Sequence, residues 1–182
     1  MIGSDKLISE KAVIHESASI NDGTKIEPGT VIYENCKIGK NCIIGANSVL
    51  RPNTIIKDNT IFGPLSMCEG DAIIGKNTTI GAQSHVTKGM AIGDSVFLGP
   101  QVTSANTPKI SDSEHGTSSN KKQVEIFPPK IEDYVRIGTG VTILPGVVIG
   151  HHSLIAARCV ITKDIPPNSF VIGGKDQIGK IS

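Results

Sequence analysis

Residues suited to a core return at every sixth position along most of this chain. Steps of six from Ile14 meet Ile20, Ile26, Ile32, Ile38, Ile44, Leu50, Ile56, Phe62, Cys68, Ile74, Ile80, Val86, Ile92 and Leu98. Ile8 and Ile2 extend this register backwards, and a second register runs Ile131, Ile137, Ile143, Ile149, Ile155, Ile161. A short fixed period of this length marks a repeat architecture. The position four beyond each aliphatic is small, as at Ala18, Thr24, Thr30, Cys36, Cys42 and Ser48. The position three beyond favours Gly, Asn or Asp, as at Gly23, Gly29, Asn35, Asn41, Asn47, Asn53, Asn59, Asp71, Asn77 and Gly89. Those residues tolerate the left-handed backbone region and mark tight turns. Each hexad is therefore predicted to be a short strand plus a turn. Three hexads close a triangular coil, and stacked coils pair their strands in parallel about 4.8 Å apart. The expected fold is all-β, a parallel β-helix with an aliphatic ladder inside, each coil leaning only on its neighbours.

The spacing from Leu98 to Ile131 is not a multiple of six, so an insertion interrupts the coils. The predicted organisation is 1–104 as N-terminal coils, 105–127 as an extruded loop, 128–165 as C-terminal coils and 166–182 as a cap or tail. The loop holds the polar run Ser111 to Lys122. A long polar loop within a rigid repeat points to function.

Residues three hexads apart share one face. The outward row of one face reads Val13, Val31, Val49, Met67, His85, and a second has Ile43, Ile61 and Phe97. Apolar rows on a solenoid exterior call for cover, which self-association supplies. His85 closes the first row, with Arg51, Glu69, Thr87 and Lys88 beside it and the strand Thr103 to Asn106 one coil above. A histidine, a carboxylate, two cations and an amide thus share a face at the loop base.

Composition narrows the function classes. Aromatics are 3 % with no Trp, so the core must be aliphatic. A net charge of +1 without a basic stripe argues against a nucleic-acid partner. No stretch reaches the roughly 18 apolar residues of a membrane span, and no apolar signal core follows Met1. A soluble cytoplasmic protein is the expectation. Cys36, Cys42 and Cys159 fall at the small inward position and Cys68 at the aliphatic one, so all four read as core residues.

These repeats are similar to those of the hexapeptide-repeat acyltransferases. The segments Val96-Phe97-Leu98-Gly99-Pro100, Asn106, Pro108-Lys109, Gly146 to Gly150 and Val160 to Pro166 resemble the branch that N-acetylates nucleotide-linked 3-amino sugars. The resemblance implies a left-handed β-helix, a homotrimer, and acetyl-CoA as co-substrate in the cleft between subunits, with no metal. It implies cofactor contacts at Gly138, Thr139, Ala156, Ala157 and Arg158, and Lys163 could meet a phosphate as a point charge. Acyl transfer needs a proton acceptor and groups that orient the acceptor. His85 is the first candidate base, with Asn106 as its catalytic companion. Gln83, Glu69, Arg51 and Lys88 are the candidate acceptor-binding groups. Two other classes share the fold. One is a non-catalytic trimeric scaffold. The other is a metalloenzyme of the γ-carbonic-anhydrase type, which requires a three-histidine site whose spacing His85, His115, His151 and His152 do not offer.

Overall fold

A computed structural model describes residues 7–108, 125–173 and 177–180. Ile2 of the first register, and Lys109 and His115 of the insertion, lie outside the described residues.

The chain winds as a three-sided parallel β-solenoid. Almost every strand is two residues long, and its second residue faces inward. The first face carries ten strands and begins with Leu7–Ile8, Lys25–Ile26 and Ile43–Ile44. The second carries eight, from Val13–Ile14 to Val160–Ile161. The third carries seven, from Ser19–Ile20 to Val148–Ile149. Ile26 lies over Ile8, Leu50 over Ile32 and Ile74 over Ile56, as the sixfold pattern requires. Ile44, Leu50, Phe62, Cys68, Ile74 and Ile80 are completely buried.

The small inward position explains how hydroxyls are tolerated in this core. Thr24 Oγ1 donates to the carbonyl of Gly39 at 2.7 Å, and Thr60 Oγ1 to that of Gly75 at 2.7 Å. Cys36 and Cys42 make the same kind of reach, their thiols donating to Arg51 O at 3.3 Å and Lys57 O at 3.1 Å. A buried polar atom that is bonded to the neighbouring coil costs little. Burial pushes all four thiols up, so they stay protonated.

The corners form three columns of left-handed residues. Corner one joins the first face to the second, corner two the second to the third, and corner three the third to the next coil. All ten Gly, Asn and Asp residues named for the turns have positive φ. Register also forces that conformation on Leu65, Gln83, Gln101 and Arg158 at corner one and on Ser95, Tyr134 and His152 at corner three.

The insertion leaves at corner two, between Thr103–Ser104 and Lys130–Ile131. The stack resumes without a gap, Ile131 on Ile92, Ile137 on Leu98 and Ile143 on Ser104. The base of the insertion is pinned by Phe127. Its N–H donates to Asn106 O at 2.6 Å, and its carbonyl accepts from Gly146 N–H at 2.7 Å. At the C-terminal end Ser169–Ile172 extends the first face in parallel, and Gln177–Lys180 then adds an antiparallel strand along its edge.

Candidate active site at the base of the insertion

His85 stands in the outward row of the second face, directly above Met67 and below Thr103. Val49, Val31 and Val13 continue the row downwards. One coil below, at corner two, Glu69 brings Oε1 to 3.1 Å from His85 Nε2. Its Oε2 accepts from Thr87 Oγ1 at 3.0 Å and from the Lys88 N–H at 3.1 Å. Both oxygens of Glu69 are thus used within the chain. Partial burial would raise the Glu69 pKa, but the Lys88 N–H, the Thr87 hydroxyl and His85 outweigh it and hold the group below its usual range.

A second layer surrounds this pair. Ser104 Oγ donates to His85 O at 3.0 Å and accepts the Thr87 N–H at 3.0 Å. Lys88 Nζ lies 3.1 Å from Asp71 Oδ2, while Asp71 Oδ1 accepts from Asn53 Nδ2 at 2.7 Å. Asn53 first and then Lys88 depress the Asp71 pKa. Asn106 donates through Nδ2 to Lys88 O at 3.3 Å, and its Oδ1 accepts from Thr107 Oγ1 at 3.1 Å. Arg51 lies at the same corner below Glu69, its guanidinium carbon 6.0 Å from the ring centre of Tyr33.

With Nε2–H directed at the carboxylate, the neutral imidazole presents Nδ1 as its free acceptor. The Glu69 carboxylate selects this tautomer, since it can only accept. A histidine held in this way can take a proton from a substrate and return it.

The structure therefore gathers His85, Glu69, Lys88, Asn106 and Arg51 at one corner. Gln83 is set apart at corner one, where its Oε1 accepts from Gln101 Nε2 at 3.1 Å. Corner one is also where Gly138, Thr139, Ala156, Ala157 and Arg158 stack, two coils deep. The Arg158 N–H donates to Thr139 O at 2.9 Å. A Cβ on Gly138 would lie 2.6 Å from the Ala157 nitrogen, so only glycine fits there. The strip has small, half-buried to exposed residues and a cation at its edge. Lys163 is at corner two instead, next to Asp164, whose Oδ1 accepts the Val148 N–H at 2.8 Å.

Asp71 and Asn53 belong to this cluster and were legible only as turn formers. Asp71 lies three hexads and Asn53 six hexads below Gly89, and residues so spaced stack at one corner.

Residues 8–124 match the family described as GMPPB C-terminal domain, and residues 128–163 match bacterial transferase hexapeptide (six repeats). The galactoside O-acetyltransferase of Escherichia coli is 51 % identical over 47 residues, which is 26 % of this chain and 23 % of the relative. The chain spans about a quarter to a third of the length of the curated relatives it matches. A hexapeptide-repeat containing acetyltransferase from Vibrio cholerae superposes with a TM-score of 0.56 at 29 % identity, over 68 % of this chain and 70 % of that one. The UDP-N-acetylglucosamine acyltransferase from Campylobacter jejuni superposes with a TM-score of 0.67 at 19 % identity, over 94 % and 73 %, a likeness of fold.

Proposed function

The chain belongs to the hexapeptide-repeat transferases, with most of its length in the GMPPB C-terminal domain family, and we propose that it is an acetyl-CoA-dependent acetyltransferase acting on an amino group of a nucleotide-linked sugar. The observation that carries this reading is the Glu69–His85 pair, held by Thr87 and the Lys88 N–H where the insertion leaves the solenoid.

In the proposed reaction the acceptor nitrogen attacks the thioester carbonyl carbon of acetyl-CoA. As the C–N bond forms, the nitrogen's proton passes to His85 Nδ1. The tetrahedral intermediate collapses, the C–S bond breaks, and the proton on Nδ1 goes to the leaving thiolate. Glu69 fixes the imidazole and stabilises its charged form, so its role is positioning. Asn106, with Lys88 and Arg51, orients the acceptor beside His85. The acyl donor extends along the strip at corner one, where the small residues Gly138, Thr139, Ala156 and Ala157 leave room and Arg158 offers a partner for phosphate.

A second copy of the chain is part of this reading. Val13, Val31, Val49 and Met67 form an apolar row leading to His85, and Ile43, Ile61 and Phe97 stand exposed on the first face. A closed homotrimer would cover such rows and turn an open surface into a cleft.

A hydroxyl acceptor is the second reading, favoured by the local likeness to a galactoside O-acetyltransferase. The test is to incubate the full chain with acetyl-CoA and a panel of amino and hydroxyl sugars, nucleotide-linked and free, following thiol release. Turnover with one nucleotide-linked amino sugar is expected. If nothing turns over and calorimetry detects no acetyl-CoA binding, the chain is a scaffold.

A further inference from the structure

Corner three carries a ladder with an interruption. Its left-handed positions read Gly23, Asn41, Asn59, Asn77, Ser95, Tyr134, His152 and Asn168. The asparagines bond up the column, Asn41 Nδ2 to Asn59 Oδ1 at 3.4 Å and Asn59 Nδ2 to Asn77 Oδ1 at 3.2 Å. Two rings then replace the amides. Tyr134 and His152 stack with centroids 4.7 Å apart and planes 2° from parallel, and His151 meets His152 edge-on at 5.3 Å. Bulky side chains on left-handed backbone are unfavourable compared with Asn or Gly, and such departures cluster at functional places.

The third face is shaped to match. Its outward row reads Ile55, Ile73, Ala91, Lys130, Val148. Ala91 is short between longer neighbours. Over it opens a groove of about 480 Å³, floored by Ile73 and Ala91 and walled by Tyr134, His151 and His152. Glu132 and Asp133 line it as well. Glu132 is bonded to Lys130 Nζ at 3.3 Å and to the His151 N–H at 3.1 Å, and Asp133 to the Asp94 N–H at 2.8 Å. Each carboxylate keeps further lone pairs for a donor.

Next below on the same face lies a groove of about 300 Å³, floored by Ile55 and lined by Lys37, Lys57, Lys76 and Asp58. Lys76 is 3.8 Å from Asp94, while Lys37 and Lys57 have no ion pair among the described residues. Asp58 already accepts the Lys40 N–H at 2.7 Å. With Lys76 paired to Asp94, Lys37 and Lys57 face one lining carboxylate, Asp58, and the notch keeps a net positive charge. From the coil of Tyr134 to those of Lys76 and Lys57 is two to three steps, about 10–14 Å.

We propose that the two grooves form one binding site for a nucleoside diphosphate. The base lies against the Tyr134–His152 wall over Ala91, the ribose hydroxyls reach Glu132 or Asp133, and the phosphates meet the lysines. One face of Tyr134 is taken by His152, so a base would stack on its other face, towards the small Ser95, as every base has a π-face, and ammonium groups suit phosphate as point charges. This site stands at the corner opposite the second face, so a ligand here is remote from His85 of the same chain. It is distinct from the acyl-donor strip at corner one and does not rest on the acetyltransferase reading.

The test is calorimetry on the full chain with ADP, GDP, UDP and dTDP, with pyrophosphate as the control. At least one nucleoside diphosphate is expected to bind. Tyr134→Asn, which restores the ladder residue, should weaken it about tenfold. Ala91→Ile, which fills the groove, should do the same. Lys57→Gln, on an exposed side chain, should weaken it several-fold and lessen its salt dependence, and it answers the question even if Tyr134→Asn does not fold. The proposal is overturned if no nucleoside diphosphate binds, or if binding is indifferent to the three variants. It is equally overturned if binding is lost in Arg158→Ala instead, or if pyrophosphate binds as tightly as the nucleotides.

Discussion

Arg158 holds φ at 61° and Tyr134 at 60°, where asparagine or glycine would be comfortable. Composition at the turns predicts left-handed backbone wherever Asn, Gly or Asp occurs, and this is what Asn41, Asn59 and Gly23 adopt. It is silent at Gln83, Gln101, Tyr134, His152 and Arg158, because there the stacked register and not local propensity dictates φ. These side chains persist at a local cost of about 1–2 kcal/mol each, which makes them worth testing. Arg158→Asn should raise the thermal midpoint of the chain, equivalent to about 1 kcal/mol, while weakening acetyl-CoA binding. Melts with and without acetyl-CoA measure both effects, and a variant that binds the donor normally would remove Arg158 from the site. The pairing of Glu69 with His85 was likewise not legible. Periodicity puts both on one side of the molecule, but which oxygen meets which nitrogen depends on rotamers and on the Thr87 and Lys88 donors.

At the scale of the strand and turn, the repeat determined nearly everything. Inward residues, parallel pairing, the three-sided coil and the presence of an insertion all followed from a period of six, because a side chain that must point inward leaves one register. What the period could not reach were the non-repeating parts. Phe127 bridges Asn106 and Gly146 by backbone bonds, and Gln177–Lys180 turns antiparallel. Neither carries a periodic signature. The interior makes a graded prediction. Ile74→Ala should cost about 2–5 kcal/mol in urea denaturation, as a cavity forms in a completely buried layer. Thr60→Val keeps the volume but removes the donor to Gly75 O and the acceptor of the Thr78 N–H. Its cost should be about 1–3 kcal/mol. A neutral Thr60→Val would mean that the inward hydroxyls are not needed between coils.

For the molecule as a whole, the depressed carboxylates set a pH dependence. Partial burial opposes ionisation of Glu69, yet its three donors hold the pKa below the ordinary 4.5; Asn53 and Lys88 hold Asp71 below 3.8. For each group the folded pKa is lower than the unfolded one. The stability each contributes is therefore complete above the ordinary value and is lost as pH falls through the lower folded value. Thermal midpoints should be level from pH 7 to about 5 in this respect and fall below about 4.5. Glu69→Gln and Asp71→Asn should each flatten that fall, and an acid limb identical to that of the parent chain would remove both groups from the account. The same folding that creates these bonds brings residues from four successive coils, Asn53, Glu69, His85 and Asn106, to the base of one insertion.

That convergence is most directly tested by the turnover of His85→Ala on the acceptor found active with the parent chain. Loss of a general base should lower kcat by about 10²–10⁴-fold, leave acetyl-CoA affinity unchanged, and be partly restored by added imidazole. Glu69→Gln should give a smaller loss in kcat with little change in KM. Undiminished kcat in His85→Ala would contradict the account and move the proton acceptor away from the second face.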